Sequence, residues 1–145
     1  MRHIVNRAIE ILESQARYNP IKLSSPDDTK SFLRLKLADR QHEVFAVMFL
    51  DTRHCLIAYE ELFRGTINQA SVYPREIVKR ALELNASALV CCHNHPSGST
   101  EPSKADESIT RKIKDACELL DIRLLDHIIV GLNDDSTSMA EKGLL

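Results

Sequence analysis

No tryptophan occurs in this sequence, aromatic residues make up only 5% of it, and there are four glycines in 145 residues. Nowhere does it hold the ~20 consecutive apolar residues of a membrane-spanning helix. Its start, MRHIVNRAIEILESQARY, is charged every few residues and lacks the uninterrupted apolar stretch of a secretory signal. These absences point to a cytoplasmic protein with no membrane partner. The four cysteines, Cys55, Cys91, Cys92 and Cys117, form no CxxC pair and no framework spacing, so they read as reduced thiols buried as small hydrophobes. Charge of one sign is also missing: the formal net charge is -2 and the pI is near 6.3. Nucleic-acid binding therefore gets no support from an overall basic field. Repeats, low-complexity tracts and glycine-rich dinucleotide turns are absent as well.

What is present is a soluble globular composition, 43% hydrophobic and 28% charged, in a length that suits one domain. Ile4, Val5, Ala8, Ile9, Leu12 and Ala16 repeat at helical spacing until Asn19-Pro20, which makes residues 1–20 a helix and linker ahead of a domain over 21–145. Ser25-Pro26-Asp27-Asp28 supplies a cap, a first-position proline and early carboxylates for a second helix to about Leu37. EVFAVMFL (43–50) is a near-continuous apolar run of strand length. CLIAYEELFRGT (55–66) pairs with it, and INQASV extends the sheet past Gly65. A helix runs from Pro74 to about Asn85, and SALVCCHNH (87–95) is a central strand whose end turns polar. Ile109, Ile113, Ala116, Cys117 and Leu120 mark a long amphipathic helix. RLLDHIIVG (123–131) and a short segment around Ser136–Met139 complete a mixed α+β sheet flanked by helices.

Chemistry concentrates in HNHPSGSTEPSKAD (93–106). Residues i and i+2 of a strand share a face, so His93 and His95 project together while Asn94 points away. Asp106 lies eleven residues beyond His95, far enough for the loop to double back and present a carboxylate to both imidazoles. Two histidines and one carboxylate leave a fourth position for water, the feature that separates catalytic zinc from closed structural zinc. A plainer reading competes. Ser103-x-x-Asp106 ahead of an apolar-periodic run is a capping box, and that pair taken alone is more often a cap than a ligand.

As a whole, His93-x-His95-x7-Ser103-x2-Asp106 resembles the JAMM motif of the MPN-plus (JAB) metalloproteases. The text around it, FRGTINQASVYPREIVKRALELNASALVCCHNHPSGSTEPSKAD and LLDHIIVG, is similar to the bacterial RadC family, a branch of that fold. The similarity covers residues 22–145, and the leading helix fits the segment before the family's metal domain. It departs at two points. RadC proteins usually carry a helix-hairpin-helix domain before this region, and Tyr73 stands where a histidine often precedes Pro-Arg-Glu.

The resemblance implies an MPN/JAB fold of the cytidine-deaminase-like kind and a Zn2+ ion held by His93, His95 and Asp106. It also implies Glu43 as the acid–base carboxylate over the bound water, and Ser103 as a hydroxyl steadying the water or the oxyanion. Glu60 and Glu61 compete with Glu43, and a solvated strand-end carboxylate is the plain alternative. The activity implied is cleavage of peptide or isopeptide bonds, with a polypeptide or ubiquitin-like conjugate as substrate. Two other classes stay open: a non-catalytic interaction module, and the DNA-repair role that the RadC name suggests. Small domains of this kind often pair, so a homodimer is a further partner state, though no residue fixes an interface. Asp126 and His127 face opposite ways. One could support a metal-bound imidazole from behind, but a satisfied structural role is the first expectation for the pair. Arg75 and Glu76 read as surface residues. The string HNH is unrelated to HNH nucleases, whose motif residues are widely separated, and the zinc-deaminase pattern is missing.

Overall fold

A computed structural model describes residues 1–18, 21–23, 25–37, 39–65, 72–133 and 135–145, with side chains omitted at 13–18. The sheet extension expected at INQASV lies, for residues 67–71, outside the described residues, as does the Asn19-Pro20 stop. Among the described residues nine elements follow in order: α1 (Arg2–Tyr18), α2 (Pro26–Leu37), β1 (Val44–Leu50), β2 (Leu56–Arg64), α3 (Pro74–Glu83), β3 (Ala88–Asn94), α4 (Lys104–Glu118), β4 (Arg123–Val130) and β5 (Ser136–Ser138).

Local chemistry accounts for the boundaries. The Ser25 hydroxyl accepts the Asp28 N–H at 3.2 Å and opens α2 behind Pro26. Asp51 closes the β1–β2 connection by accepting the N–H groups of Arg53 and Cys55 at 2.8 and 2.9 Å. After α3, Asn85 takes a positive φ of 54°, a conformation its short polar side chain tolerates.

The strands lie in the order β2-β1-β3-β4-β5. β1 is antiparallel to both neighbours, β3 and β4 are parallel across the α4 crossover, and β5 closes the edge antiparallel to β4. All seven residues of β1 and of β3 are buried. That is why both read as continuous apolar runs: helices cover both faces of these strands. One face carries Val44, Ala46, Met48, Leu50, Val90 and Cys92 against Phe32, Leu33 and Leu37 of α2. The other carries Phe45, Val47, Phe49, Leu89 and Cys91 against Ile77 and Ala81 of α3 and Ile113 and Cys117 of α4. Truncating a fully buried residue such as Phe49 to alanine costs about 3–5 kcal/mol.

One irregularity positions the site. Leu89 pairs with Leu124 but Val90 pairs with Asp126, so β4 gains one residue there. A one-residue slip exchanges the faces of a strand. It turns His127 toward the α4 side, opposite Cys91, and Asp126 toward the α2 side. Among the described residues no helix is long and apolar enough to cross a membrane.

Candidate metal centre

The end of β3 and the start of α4 meet where the sequence places its polar residues. His93 Nε2 lies 2.9 Å from His95 Nε2 and 3.3 Å from Asp106 Oδ1, and His95 Nε2 lies 3.7 Å from Asp106 Oδ2. Four-coordinate zinc with ligands at ~2.0–2.1 Å sets neighbouring donor atoms roughly 3.3 Å apart. These three residues form a cluster that could hold a metal ion.

The capping reading is realised in the same residues. Ser103 Oγ accepts the Asp106 N–H at 3.1 Å, and Asp106 Oδ2 accepts the Ser103 N–H at 2.8 Å, giving a complete capping box at the start of α4. The two readings are compatible because a carboxylate has more acceptor sites than a cap consumes. The cap fixes the rotamer that aims Oδ1 at His93.

Hydrogen positions follow from the partners. His95 Nδ1 lies 2.7 Å from the Ser99 carbonyl, which only accepts, so Nδ1 carries a proton and the neutral ring keeps its lone pair on Nε2. Behind His93 is a chain of three groups. The Thr110 hydroxyl donates to the Asp106 carbonyl at 2.6 Å and is left to accept from His127 Nδ1 at 2.5 Å. His127 Nε2 is then an acceptor, and it takes the His93 Nδ1 proton at 2.8 Å. His93 Nε2 is thereby also a bare lone pair. Two lone pairs facing at 2.9 Å beside a carboxylate repel one another unless a cation lies between them.

Electrostatics agree with neutral rings. Burial lowers the pKa of His93 and drives that of His127 well below 6.5, so both favour the uncharged form that ligates metals. Burial works against charge on Asp106 too. There the contacts with His93, the Ser103 N–H and the proximity of His127 outweigh it and hold the carboxyl far below the usual range. Phe45 backs the site, lying nearly parallel to the His93 ring and edge-on to His127.

Glu43 precedes β1. The antiparallel register ends with Phe45 opposite His93, so Glu43 stands two residues beyond that last pair, at the end of the sheet where the histidines lie. Glu43 thus lies at the histidine end of β1, two residues before the Phe45 that stacks on His93. Its competitors lie elsewhere. Glu60 receives both arms of Arg80 at 2.7 Å, and Glu61 is taken by Arg40 at 2.7 Å and by the Tyr59 hydroxyl at 3.2 Å. Both pair with the middle of β1, opposite Val47 and Ala46.

Asp126 and His127 divide the two roles that the sequence left between them. Asp126 accepts the Ser138 hydroxyl and the N–H groups of His127 and Ala140, a structural anchor for β5. His127 goes beyond the structural expectation and supports His93 directly. Cys91 and Cys92 are core, with burial pushing both thiols up, and Cys92 donates to the Ala46 carbonyl at 3.4 Å. Arg75 and Glu76 lie at the surface, 3.8 Å apart. Sequence reasoning passed over Thr110 and Asn94. The first sits four residues after Asp106, one helical turn behind it. The second was set aside because it faces away from the histidines.

Comparison with known proteins adds the family. A model described as RadC-like JAB domain matches residues 23–144. A UPF0758 protein of Thioalkalivibrio sulfidiphilus is 61% identical over 85% of this chain and 54% of its own length. One of Methylibium petroleiphilum is 57% identical over 92% of this chain and 60% of its own. The chain spans little more than half the length of these two relatives, but 88% of a 51% identical UPF0758 protein of Vibrio cholerae. The five-stranded sheet with flanking helices is consistent with the JAB/MPN fold. With 122 consecutive residues matched and relatives above 50% identity, the chain belongs to the RadC-like JAB-domain family.

Proposed function

We propose that this domain is a zinc-dependent hydrolase of amide bonds, acting on peptide or isopeptide linkages in a polypeptide or ubiquitin-like conjugate. The observation that carries the reading is the convergence of two imidazole Nε2 atoms and a carboxylate on one point, His93 and His95 facing at 2.9 Å beside Asp106. His93, His95 and Asp106 would hold the ion. When bound, zinc supplies Lewis acidity and makes a water acidic enough to attack near neutral pH.

The remaining roles belong to the chain's own groups. Glu43, at the histidine end of β1, takes the proton from the attacking water and returns it to the leaving amine. Ser103 contributes through its hydroxyl. Its oxygen accepts the Asp106 N–H, so its own proton is left to donate to the developing oxyanion. His127 keeps the Nδ1 proton of His93 in place and so keeps Nε2 available.

The test is direct. Protein purified without chelator should carry one zinc per chain, and His95→Ala should abolish it. A peptide-library screen should then show cleavage that Glu43→Gln removes while zinc stays bound. Protein that takes up no zinc, or a parent chain that cleaves no better than Glu43→Gln, would overturn the reading. An interaction module has no use for the intact ligand set, and the charge balance supplies no footing for DNA.

A further inference from the structure

Asn94, between the two histidines, has a side chain that neither the sheet nor the metal cluster requires. It is 3% exposed and points to the α2 face. Its Oδ1 accepts the Val44 N–H at 2.7 Å, and its Nδ2 donates to the His42 carbonyl at 3.0 Å. These are the backbone groups on either side of Glu43. The regular β1–β3 pairing stops at Phe45 and His93, one step before them. A single side-chain amide therefore reproduces the two ladder bonds that a continued strand would make. From the opposite edge the Gly65 N–H binds the Glu43 carbonyl at 3.0 Å. Residue 43 is thus held from both sides although it lies outside β1.

Resting on the metal-site reading above, we propose that Asn94 is a positioning residue for Glu43: its amide clamps His42 and Val44 so that the carboxylate between them stays over the point on which His93, His95 and Asp106 converge. The middle residue of His-Asn-His thereby links the metal-holding strand to the acid–base group by hydrogen bonds. A carboxylate on an unpaired strand end would sample many orientations, and geometry at the reacting centre is costly to lose. Serine or alanine at position 94 is compatible with a strand but cannot bridge both neighbours of Glu43.

The experiment uses the full chain loaded with cobalt(II), whose visible spectrum reports the coordination sphere without any substrate. The parent spectrum should change with pH, and Glu43→Gln should move the midpoint of that change. Asn94→Ala is expected to bind cobalt within about threefold of the parent and to move the midpoint in the same direction as Glu43→Gln, by at least half as much. The double variant should move it no further than Glu43→Gln alone. Should Asn94→Ala prove too unstable to load, Asn94→Ser is measured the same way. Its hydroxyl can still accept from Val44, so a midpoint between parent and Glu43→Gln is expected. A midpoint equal to the parent's in whichever variant loads, beside a shifted Glu43→Gln, overturns the proposal and leaves the metal site intact. A parent chain that gives no cobalt spectrum overturns the metal-site reading itself.

Discussion

The Thr110 hydroxyl lies 2.5 Å from Nδ1 of His127, and through that contact the helix carrying Asp106 decides which nitrogen of His127 keeps its proton. The consequence passes to His93, whose Nδ1 proton His127 accepts. His127→Phe keeps a ring in the buried site but removes the acceptor. Zinc affinity should fall 10–100-fold, as supports behind metal-binding histidines typically contribute. Thr110→Val, nearly isosteric, should lower it by less, because His127 stays but its tautomer is released. Competition with a chromogenic chelator measures both. Affinities equal to the parent's would show that the chain of hydrogen bonds is incidental.

Ser103 and Asp106 share a cap, yet the two halves separate by substitution. Ser103→Ala removes the side-chain acceptor for the Asp106 N–H and should cost about 1 kcal/mol in denaturant unfolding of the metal-free protein. Its zinc affinity should change little. Asp106→Asn keeps an oxygen that can accept the Ser103 N–H but discards the charge. It should lower metal-free stability, because the charge that the fold keeps ionised is gone, and abolish tight zinc binding. If Asp106→Asn binds zinc as the parent does, Asp106 is a cap and nothing more.

Much of this was legible in the residues. The strands expected at 43–50 and 87–95, the capped start of α2 and the spacing from His93 to Asp106 each reflect a local rule, and the two strands appear within a residue of their expected bounds. What the sequence did not disclose depends on register. No local rule announces that β4 carries an extra residue beside Leu89, and without it the face taken by His127 is undetermined. Asn94 escaped for a related reason. Strand alternation says which way a side chain leaves the backbone, not that a short amide will turn back along the sheet to bind residues fifty positions earlier.

Gly131 follows β4 beneath the loop that orients His95. A Cβ built there would lie 2.6 Å from the Gly98 carbonyl oxygen and 2.6 Å from Thr100 Cγ2, and the first of these is backbone that cannot simply rotate away. Gly131→Ala should therefore push the 98–100 segment outward and loosen the Ser99 carbonyl on His95 Nδ1. We expect a loss of about 1–3 kcal/mol in stability, typical of overpacking, together with weaker zinc binding. Gly65→Ala is the control: no atom of the described residues lies within 4 Å of its Cβ, and its N–H reaches the Glu43 carbonyl rather than a group that would hold the ion. Backbone strain from its φ of 98° should cost stability there, but zinc affinity should hold. Equal zinc affinity in Gly131→Ala and the parent would detach the loop from the site.

Acid should act on the metal-free fold through the imidazoles before it reaches the carboxylate. Burial lowers the pKa of His93 and His127 below the 6.5 of a free side chain. Below that pH the unfolded chain therefore binds protons that the folded chain refuses. More protons on the unfolded side means that stability rises with pH, so it must fall as the solution is acidified through 6.5. Asp106 adds loss in the same direction only below its ordinary 3.8, since its carboxyl is held ionised in the fold. Denaturant unfolding of metal-free protein should show stability nearly flat from pH 8 to 7 and declining toward pH 5. His127→Phe removes one of the buried imidazoles and should flatten that decline by up to about 1.4 kcal/mol per pH unit, one proton's worth. Zinc should stabilise the parent at pH 7.5 and do so progressively less toward pH 5, as protons compete with it for its ligands. A metal-free fold as stable at pH 5 as at pH 7.5 would mean that the folded chain takes up these protons as readily as the unfolded one, so that His93 and His127 are charged in the native protein.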